Sequence, residues 1–230
     1  APSRITNCQV VDVVGDYATA IQSTEIRHCI VNFPRPAKGT RAFRAAFNMG
    51  DTVNGVVEDC EAWWAMAGVY MDWKSCSGLK VKDNAFFGCD AGLWINAQQE
   101  AAPTEQRLIS NLTFEGNQVW LNPQTRNVNG ILLDHSNTSG QPTEVAWHGI
   151  NGVNVNRNVI DFLPGEMVTC EHPYASNICD YTPAEKRTEK LGISNVRFAD
   201  NLIGATLIHR TKGLPDVSGY ETRPIVWKEI

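Results

Sequence analysis

Four short segments of this chain carry one pattern. They are Gly78-Leu79-Lys80-Val81-Lys82-Asp83-Asn84, Asn111-Leu112-Thr113-Phe114-Glu115-Gly116-Asn117, Gly152-Val153-Asn154-Val155-Asn156-Arg157-Asn158 and Asn195-Val196-Arg197-Phe198-Ala199-Asp200-Asn201. In each, an apolar, a polar and an apolar residue are followed by two more residues and an asparagine. A further apolar residue (Phe86, Val119, Ile160 or Ile203) stands two places beyond it. Alternation with period two marks a half-buried strand, and a supersecondary unit recurring along a chain predicts a solenoid. An asparagine at one fixed place in every repeat predicts a stack of side-chain amides at a turn between strands.

A second strand follows each asparagine after a loop of variable length. These strands read Gly92-Leu93-Trp94-Ile95-Asn96, Gly130-Ile131-Leu132-Leu133-Asp134, Met167-Val168-Thr169-Cys170-Glu171 and Ala205-Thr206-Leu207-Ile208-His209. Gly68-Val69-Tyr70-Met71-Asp72 extends the series backwards, with Cys60 where the asparagine would stand. Ala45-Ala46-Phe47-Asn48 and Thr19-Ala20-Ile21-Gln22 extend it further. The expectation is an all-β solenoid of about seven rungs.

This arrangement resembles the right-handed parallel β-helix of the pectate-lyase-like superfamily, with three strands per rung and commonly an Asn ladder at one turn. The resemblance covers about Ile5 to Arg210. It is specific for fold, because the superfamily includes lyases, hydrolases, epimerases, phage tailspikes and adhesins, and fold alone does not name a function. It implies a polysaccharide partner and a secreted, extracellular or virion-surface setting.

The β-helix is expected over residues 1–212 and a C-terminal tail over 213–230, covering the far end or pairing with a partner. Ile5-Thr6-Asn7-Cys8-Gln9-Val10 already reads as a rung, and an open rung exposes unpaired strand edges. No amino-terminal cap precedes it, so the expectation is a fragment, a processed product or part of a homo-oligomer or larger assembly whose other segment covers that rung. A net charge of −5 without any block of Lys and Arg argues against nucleic acid. No apolar run approaches the length of a membrane span. One run, from Thr182 to Lys190 with Pro183 near its start, has helical character.

The seven cysteines are an odd number, so at least one thiol is free or pairs between chains. Cys8 and Cys29 hold the same place on successive rungs and read as stacked core thiols. Cys170 and Cys179 flank a loop: either a disulfide closes it, or Cys170 packs inward. The sequon matches at Asn111 and Asn137 read as chance.

Successive side chains of a strand point to opposite faces. With Met71, Ile95, Leu133, Cys170 and Ile208 inward, one outward row reads Gln22, Asn48, Asp72, Asn96, Asp134, Glu171, His209. The other reads Ala20, Ala46, Tyr70, Trp94, Leu132, Thr169, Leu207. The loops at 97–107, 136–149 and 172–191 all leave one end of this strand and are expected to wall a groove. Aromatic faces stack on sugar rings, and carboxylates and amides accept hydroxyl hydrogens. Trp94, Tyr70, Asn96, Asn48, His135 and Arg210 are therefore expected to bind substrate. A solvated sheet face also carries polar residues, which accounts for Gln22 and Asn48 equally well.

Neighbouring strands lie about 4.8 Å apart, which sets Asp134 and Glu171 about 5 Å apart and Asp72 and Asp134 about 10 Å apart at Cα. Glycosidases need two carboxyls about 5 to 5.5 Å apart to retain configuration, or about 6.5 to 9.5 Å to invert it. Asp134 is the expected central catalytic residue, with Asp72 or Glu171 as partner, and His135 and His209 orienting groups or moving protons. A lyase instead needs a base and a cation against the developing charge. Arg210 and Lys74 lie just past the row, and its three carboxylates could hold Ca²⁺. No cofactor or metal is expected for the hydrolase. Of the superfamily's polygalacturonase signatures only the Arg-x-Lys spacing of Arg210-Thr211-Lys212 is present; there is no Asp-Asp pair and no Gly-His-Gly. Asp134-His135-Ser136 has the residue types of a triad, but neighbouring side chains on a strand diverge. His148 and His172 lack metal-ligand spacing. Trp63 and Trp64, just before the Tyr70 strand, either overhang the groove or cover the turn. The competing class is a polysaccharide-binding fibre, tailspike or adhesin module that does not cleave.

Overall fold

The computed structural model describes residues 3–11, 19–42, 44–72, 75–97, 107–135, 148–180, 182, 192–213, 215–219 and 223–224. Every regular element among them is a strand, and the strands form three sheets. The first sheet runs from Arg4–Thr6 to Val217–Ser218 and the second from Gln9–Val11 to Arg223–Pro224. The third takes Thr19–Gln22, Ala45–Asn48, Ala67–Asp72, Ala91–Asn96, Asn127–His135, His172–Asp180 and Ile208–Gly213, in that order. The chain visits first, second and third sheet in turn and then repeats, so each strand pairs in parallel with its equivalent one cycle later. This is an all-β, solenoid-like fold of stacked parallel sheets, compatible with a parallel β-helix. Part of the segment beyond residue 212 continues it, since Val217–Ser218 and Arg223–Pro224 extend the first two sheets. The helical run after Thr182 lies outside the described residues, as do Asn137 and Lys74.

In-register stacking places like side chains in columns inside the solenoid. The first sheet sends in Ile26, Val57, Val81, Phe114, Val155 and Phe198; the second sends in Val31, Ala62, Phe86, Val119, Ile160 and Ile203. All are buried. Some strand positions of the third sheet are too tight for a side chain: a Cβ at Gly68 would lie 2.5 Å from the Phe86 ring, and one at Gly130 would lie 2.5 Å from Ile160. The outer face of the first sheet is charged instead, with Arg27 paired to Glu25 and Glu58 and with Glu115 paired to Lys82 and Arg157.

The corner from first to second sheet repeats the same two residues' conformation. A residue with left-handed φ comes first (for example Asp59 at 50°, Asp83 at 55° and Asp200 at 53°), then the residue of the expected amide stack. Asn84, Asn117, Asn158 and Asn201 are all buried and bonded in series. Nδ2 of Asn84 donates to Oδ1 of Asn117 at 2.9 Å, Asn117 to Asn158 at 3.0 Å, and Asn158 to Asn201 at 2.9 Å. Each Nδ2 also donates to a carbonyl one cycle back (Val57, Val81, Phe114 and Val155), and each Oδ1 accepts the main-chain N–H of the residue before it in the column.

Cysteine continues the column. Cys60 Sγ lies 3.7 Å from the carbonyl of Ile26, and Cys29 Sγ lies 3.8 Å from that of Ile5, the positions that asparagine Nδ2 serves elsewhere. Cys60 Sγ also accepts the Cys29 N–H at 3.5 Å. Burial pushes the Cys60 thiol up to about 12, so it stays a neutral donor. Asn84 Oδ1 receives only a main-chain N–H from Cys60, where the later amides receive a side-chain donor as well. Cys60→Asn is therefore expected to add one amide–amide bond and stabilise by about 1 kcal/mol, read as a higher urea midpoint at unchanged slope. A lower midpoint would mean that the thiol's space cannot take an amide.

Candidate functional site

The third sheet places the expected site residues in two outward rows, but not quite those rows. Strand pairing aligns Asn48, Tyr70, Trp94, Leu132, Asn177 and Arg210 in one row, and Asp72, Asn96, Asp134, Cys179 and Lys212 in the other. Asp72, Asn96 and Asp134 thus share one register on three consecutive strands, beside Tyr70 and Trp94. The side chain of Asp72 lies outside the described residues.

Several expected positions differ. Glu171 precedes the strand His172–Asp180 rather than ending it, so Asp134 faces Cys179 across the register, and Glu171 forms an exposed ion pair with Arg126 at 2.8 Å. His209 pairs with Ser176, which itself pairs with Ile131 of the inward column. A register shift between Tyr174 and Ser176 turns it inward, where its Nδ1 lies 2.8 Å from Ser176 Oγ and its ring meets Phe198 edge-on. Burial lowers its basicity. Asn48 aligns with Tyr70, not Asp72, and its Oδ1 accepts the N–H of Gly50 at 3.0 Å in a local turn. The same shift of one strand's position moves the interior assignment: Ile178, not Cys170, stacks on Leu133, and Ile208 is exposed.

Cys170 and Cys179 are both free thiols. They sit before and near the end of one extended strand, roughly 25 to 30 Å apart at 3.3 Å per residue, which no disulfide spans. Trp63 belongs to the second sheet and stacks on Phe87 at 4.3 Å, while Trp64 sits at the corner under Arg35.

On the outward face, Tyr70 and Trp94 pack edge-to-face at 5.4 Å, and Asn96 Nδ2 donates to the Tyr70 hydroxyl at 3.0 Å. The Arg41 guanidinium lies 4.7 Å over the Trp94 ring. Arg210 donates to the Tyr174 hydroxyl at 3.2 Å and lies over that ring. Cys179 is half-buried; burial and then the neighbouring Asp134 raise its thiol, while Arg210 and Lys212 act the other way. The row therefore runs from acidic at Asp72 and Asp134 to basic at Lys212. Glu171, one of the three carboxylates expected to be able to hold Ca²⁺, is paired instead with Arg126. Among the described residues no group of His, Cys, Asp and Glu is arranged for a metal.

His135 is buried at the end of its strand rather than on the open face. Its Nδ1 lies 3.5 Å from Asp180 Oδ1 and 3.3 Å from Thr182 Oγ1. Asp180 also accepts the N–H groups of Thr182 at 2.9 Å and Ile193 at 2.8 Å. Burial pushes the Asp180 carboxyl up, but His135 and those two N–H groups outweigh it and hold the carboxyl well below the usual range. Asp180 thus ties together both ends of the segment between Thr182 and Ile193. Segments 98–106 and 136–147 follow adjacent strands of the same sheet and leave the same end as the segment after Asp180, while residues 172–180, expected as part of the third loop, are a strand of that sheet; the three segments' own residues lie outside the described ones except Thr182.

No protein-family model matches the chain, and neither does a curated protein or a solved structure. The reading of this face rests on its own chemistry.

Two features escaped the sequence reading. One is Asp180, whose role depends on residues 45 and 13 positions away from it. The other is the connection at 33–42, which brings Arg41 onto Trp94; its Pro34 and Pro36 and the unusual distance between Phe33 and Ala45 were the available signal.

Proposed function

We propose that this chain is a polysaccharide-degrading protein built as a right-handed parallel β-helix of about seven rungs, of the pectate-lyase-like kind. In this reading the outward face of the third sheet holds a glycan, and Asp134 and Asp72 hydrolyse a glycosidic bond. A right-handed path is what parallel strands joined by crossovers adopt almost without exception. The observation that carries the activity is the register of Asp72, Asn96 and Asp134 on consecutive strands. Two strand spacings put the acidic residues about 10 Å apart at Cα, close to the separation of about 6.5 to 9.5 Å that leaves room for a water. One carboxyl gives its proton to the leaving glycosidic oxygen. The other takes a proton from the water that attacks the anomeric carbon, and the C–O bond breaks with inversion. Tyr70 and Trp94 supply aromatic surface, and Asn96 and Arg210 supply polar contacts. A secreted or surface setting and assembly with further copies or segments belong to the same proposal.

A second reading is a module that binds the glycan without cutting it. It is favoured by Glu171 and His209, which lie away from the carboxylate row, and by Arg41, which occupies Trp94. A depolymerisation screen separates the two. Neutral and uronic-acid polysaccharides are incubated with the protein, with and without Ca²⁺, and both new reducing ends and ultraviolet absorbance of unsaturated products are read. Reducing ends without unsaturation are expected. Unsaturated ends would replace hydrolysis by elimination, and retained binding without cleavage would favour the module.

A further inference from the structure

Two outer faces of this solenoid differ in chemistry although their strands alternate alike. The first sheet turns Arg27, Glu58, Lys82 and Glu115 outward in one aligned column. On the second sheet, the outward column nearer the first sheet carries Ile30, Glu61, Ala85, Gln118 and Val159 on consecutive strands. The column nearer the third sheet carries Asn32, Trp63, Phe87, Trp120 and Asp161. These positions hold two carboxylates and no cation. Val11 at 52%, Ile30 at 38% and Leu202 at 41% leave apolar side chains in water on the same face, and Trp63, Phe87 and Trp120 are half-buried. Aromatic enrichment with few charges marks the core of a protein–protein interface.

The rings do not form a platform for sugars. Trp63 and Phe87 stack with centroids 4.3 Å apart and planes at 22°, while their strands lie about 4.8 Å apart. Their faces are therefore turned along the stack toward each other and their edges toward solvent, whereas a pyranose needs an open ring face. Trp63 Nε1 already donates to Glu61. What remains outward is an apolar strip, and it suits a second apolar strip.

The strip is also complementary to itself. A two-fold axis lying in the contact plane along the Phe87 strand sets each strand against the one equally far on the other side. Ile30 then faces Val159 of a second copy, Trp63 faces Trp120, and Ala85 and Phe87 face their own equivalents. Asn32 meets Asp161 and Gln118 meets Glu61, an amide against a carboxylate each time. Turning the axis along the stack would instead set Glu61 against Trp63 and Ile30 against Asn32, polar on apolar.

We propose that the outer face of the second sheet is a dimer interface, in which two copies of this chain pack face to face and antiparallel about a two-fold axis along the strand of Phe87. This gives the assembly named above a surface and does not depend on the glycan reading. The sheet has eight strands, which at about 4.8 Å each make it about 34 Å long, and three or four residues at about 3.3 Å make it about 10 to 13 Å wide. That is about half of the roughly 800 Å² that each partner buries in a standard interface, before the corner residues on either side are counted. The contact therefore suits a reversible dimer.

Sedimentation velocity of the whole chain is measured from about 1 to 300 μM, the range in which a small interface equilibrates. The weight-average mass is expected to climb towards twice that of one chain. Ile30→Glu and Val159→Lys are each expected to weaken association at least about tenfold, because an unpaired charge enters the apolar strip. Within one copy the two positions are four strands, about 19 Å, apart, so they meet only across the interface. The double variant sets opposite charges against each other twice and is expected to recover the wild-type midpoint within about threefold. A monomer at every concentration overturns the proposal. Single variants that associate like the wild type overturn it as well, and so does a double variant as weak as the singles. Should a variant lose its fold, hydroxyl-radical labelling of the wild-type chain decides alone: Ile30 and Trp63 must lose reactivity as concentration rises, while Val53, exposed beside the first sheet, must not. Protection of Trp63 by added polysaccharide and not by concentration would give the face to a glycan and overturn the dimer.

Discussion

Asp134→Asn is expected to lose glycan cleavage by about 10³-fold or more while keeping the fold. An acid or base in the transition state contributes about 10² to 10⁴ in rate, and an amide can neither donate nor take the proton that bond cleavage requires. The substitution is nearly isosteric, and Asp134 stands in an outward row at partial exposure, between Asn96 and Cys179. Stability should therefore change by no more than about 0.5 kcal/mol. Binding of the intact polymer, measured by titration calorimetry, should persist, since Tyr70, Trp94 and Asn96 are untouched. Unchanged turnover would remove Asp134 from catalysis. Loss of turnover together with a lowered melting temperature would mean that the carboxylate serves the fold. Asp72→Asn gives the partner's share: an inverting pair loses both activities, whereas a residue that only contacts substrate raises KM more than it lowers kcat.

Asn158→Ala is expected to destabilise the chain by about 3 to 5 kcal/mol, because each buried group left without a partner costs about 1 to 3 kcal/mol. Its amide serves four others. Oδ1 accepts the N–H and Nδ2 of Asn117, and Nδ2 donates to the Phe114 carbonyl and to Asn201 Oδ1. No solvent reaches this position to replace them, as Asn158 is wholly buried. The loss should appear as a lower denaturant midpoint at unchanged slope. Asn84→Ala should cost less, since Asn84 meets a thiol residue on one side and so has one amide neighbour fewer. Equal costs would mean that the cysteines bond as strongly as the amides.

These two positions also mark how far the sequence could be read. The asparagine column was legible because its spacing pattern is local: seven residues specify two strand positions, a left-handed turn and the amide. Cys60 was legible as a substitute for the same reason. The strand after Asn158 was not. Residues 167–171 alternate as plausibly as 174–178, and parallel pairing with Asn127–His135 selects the later run. That slip displaced Glu171 from the carboxylate row. His209 was misplaced differently, since a register shift beside Ser176 reverses which side of its strand faces inward, and nothing in the residues nearby announces it. Rows built from local alternation inherit every such shift downstream. For that reason Asp72, Asn96 and Asp134, which precede the irregularity, kept their common register.

The fixed two-residue corner between first and second sheets says where this chain will accept foreign sequence. One residue added between Glu115 and Asn117 would carry the amide out of its column and reverse the facing of the strand that follows. The corner between second and third sheets already holds a single residue at Asp90 and a long excursion at 33–42, with the same strand pairing on both sides. A tag, an epitope or a whole guest domain inserted near Lys38 should therefore leave every downstream strand in phase. The same guest placed beside Asn117 should not.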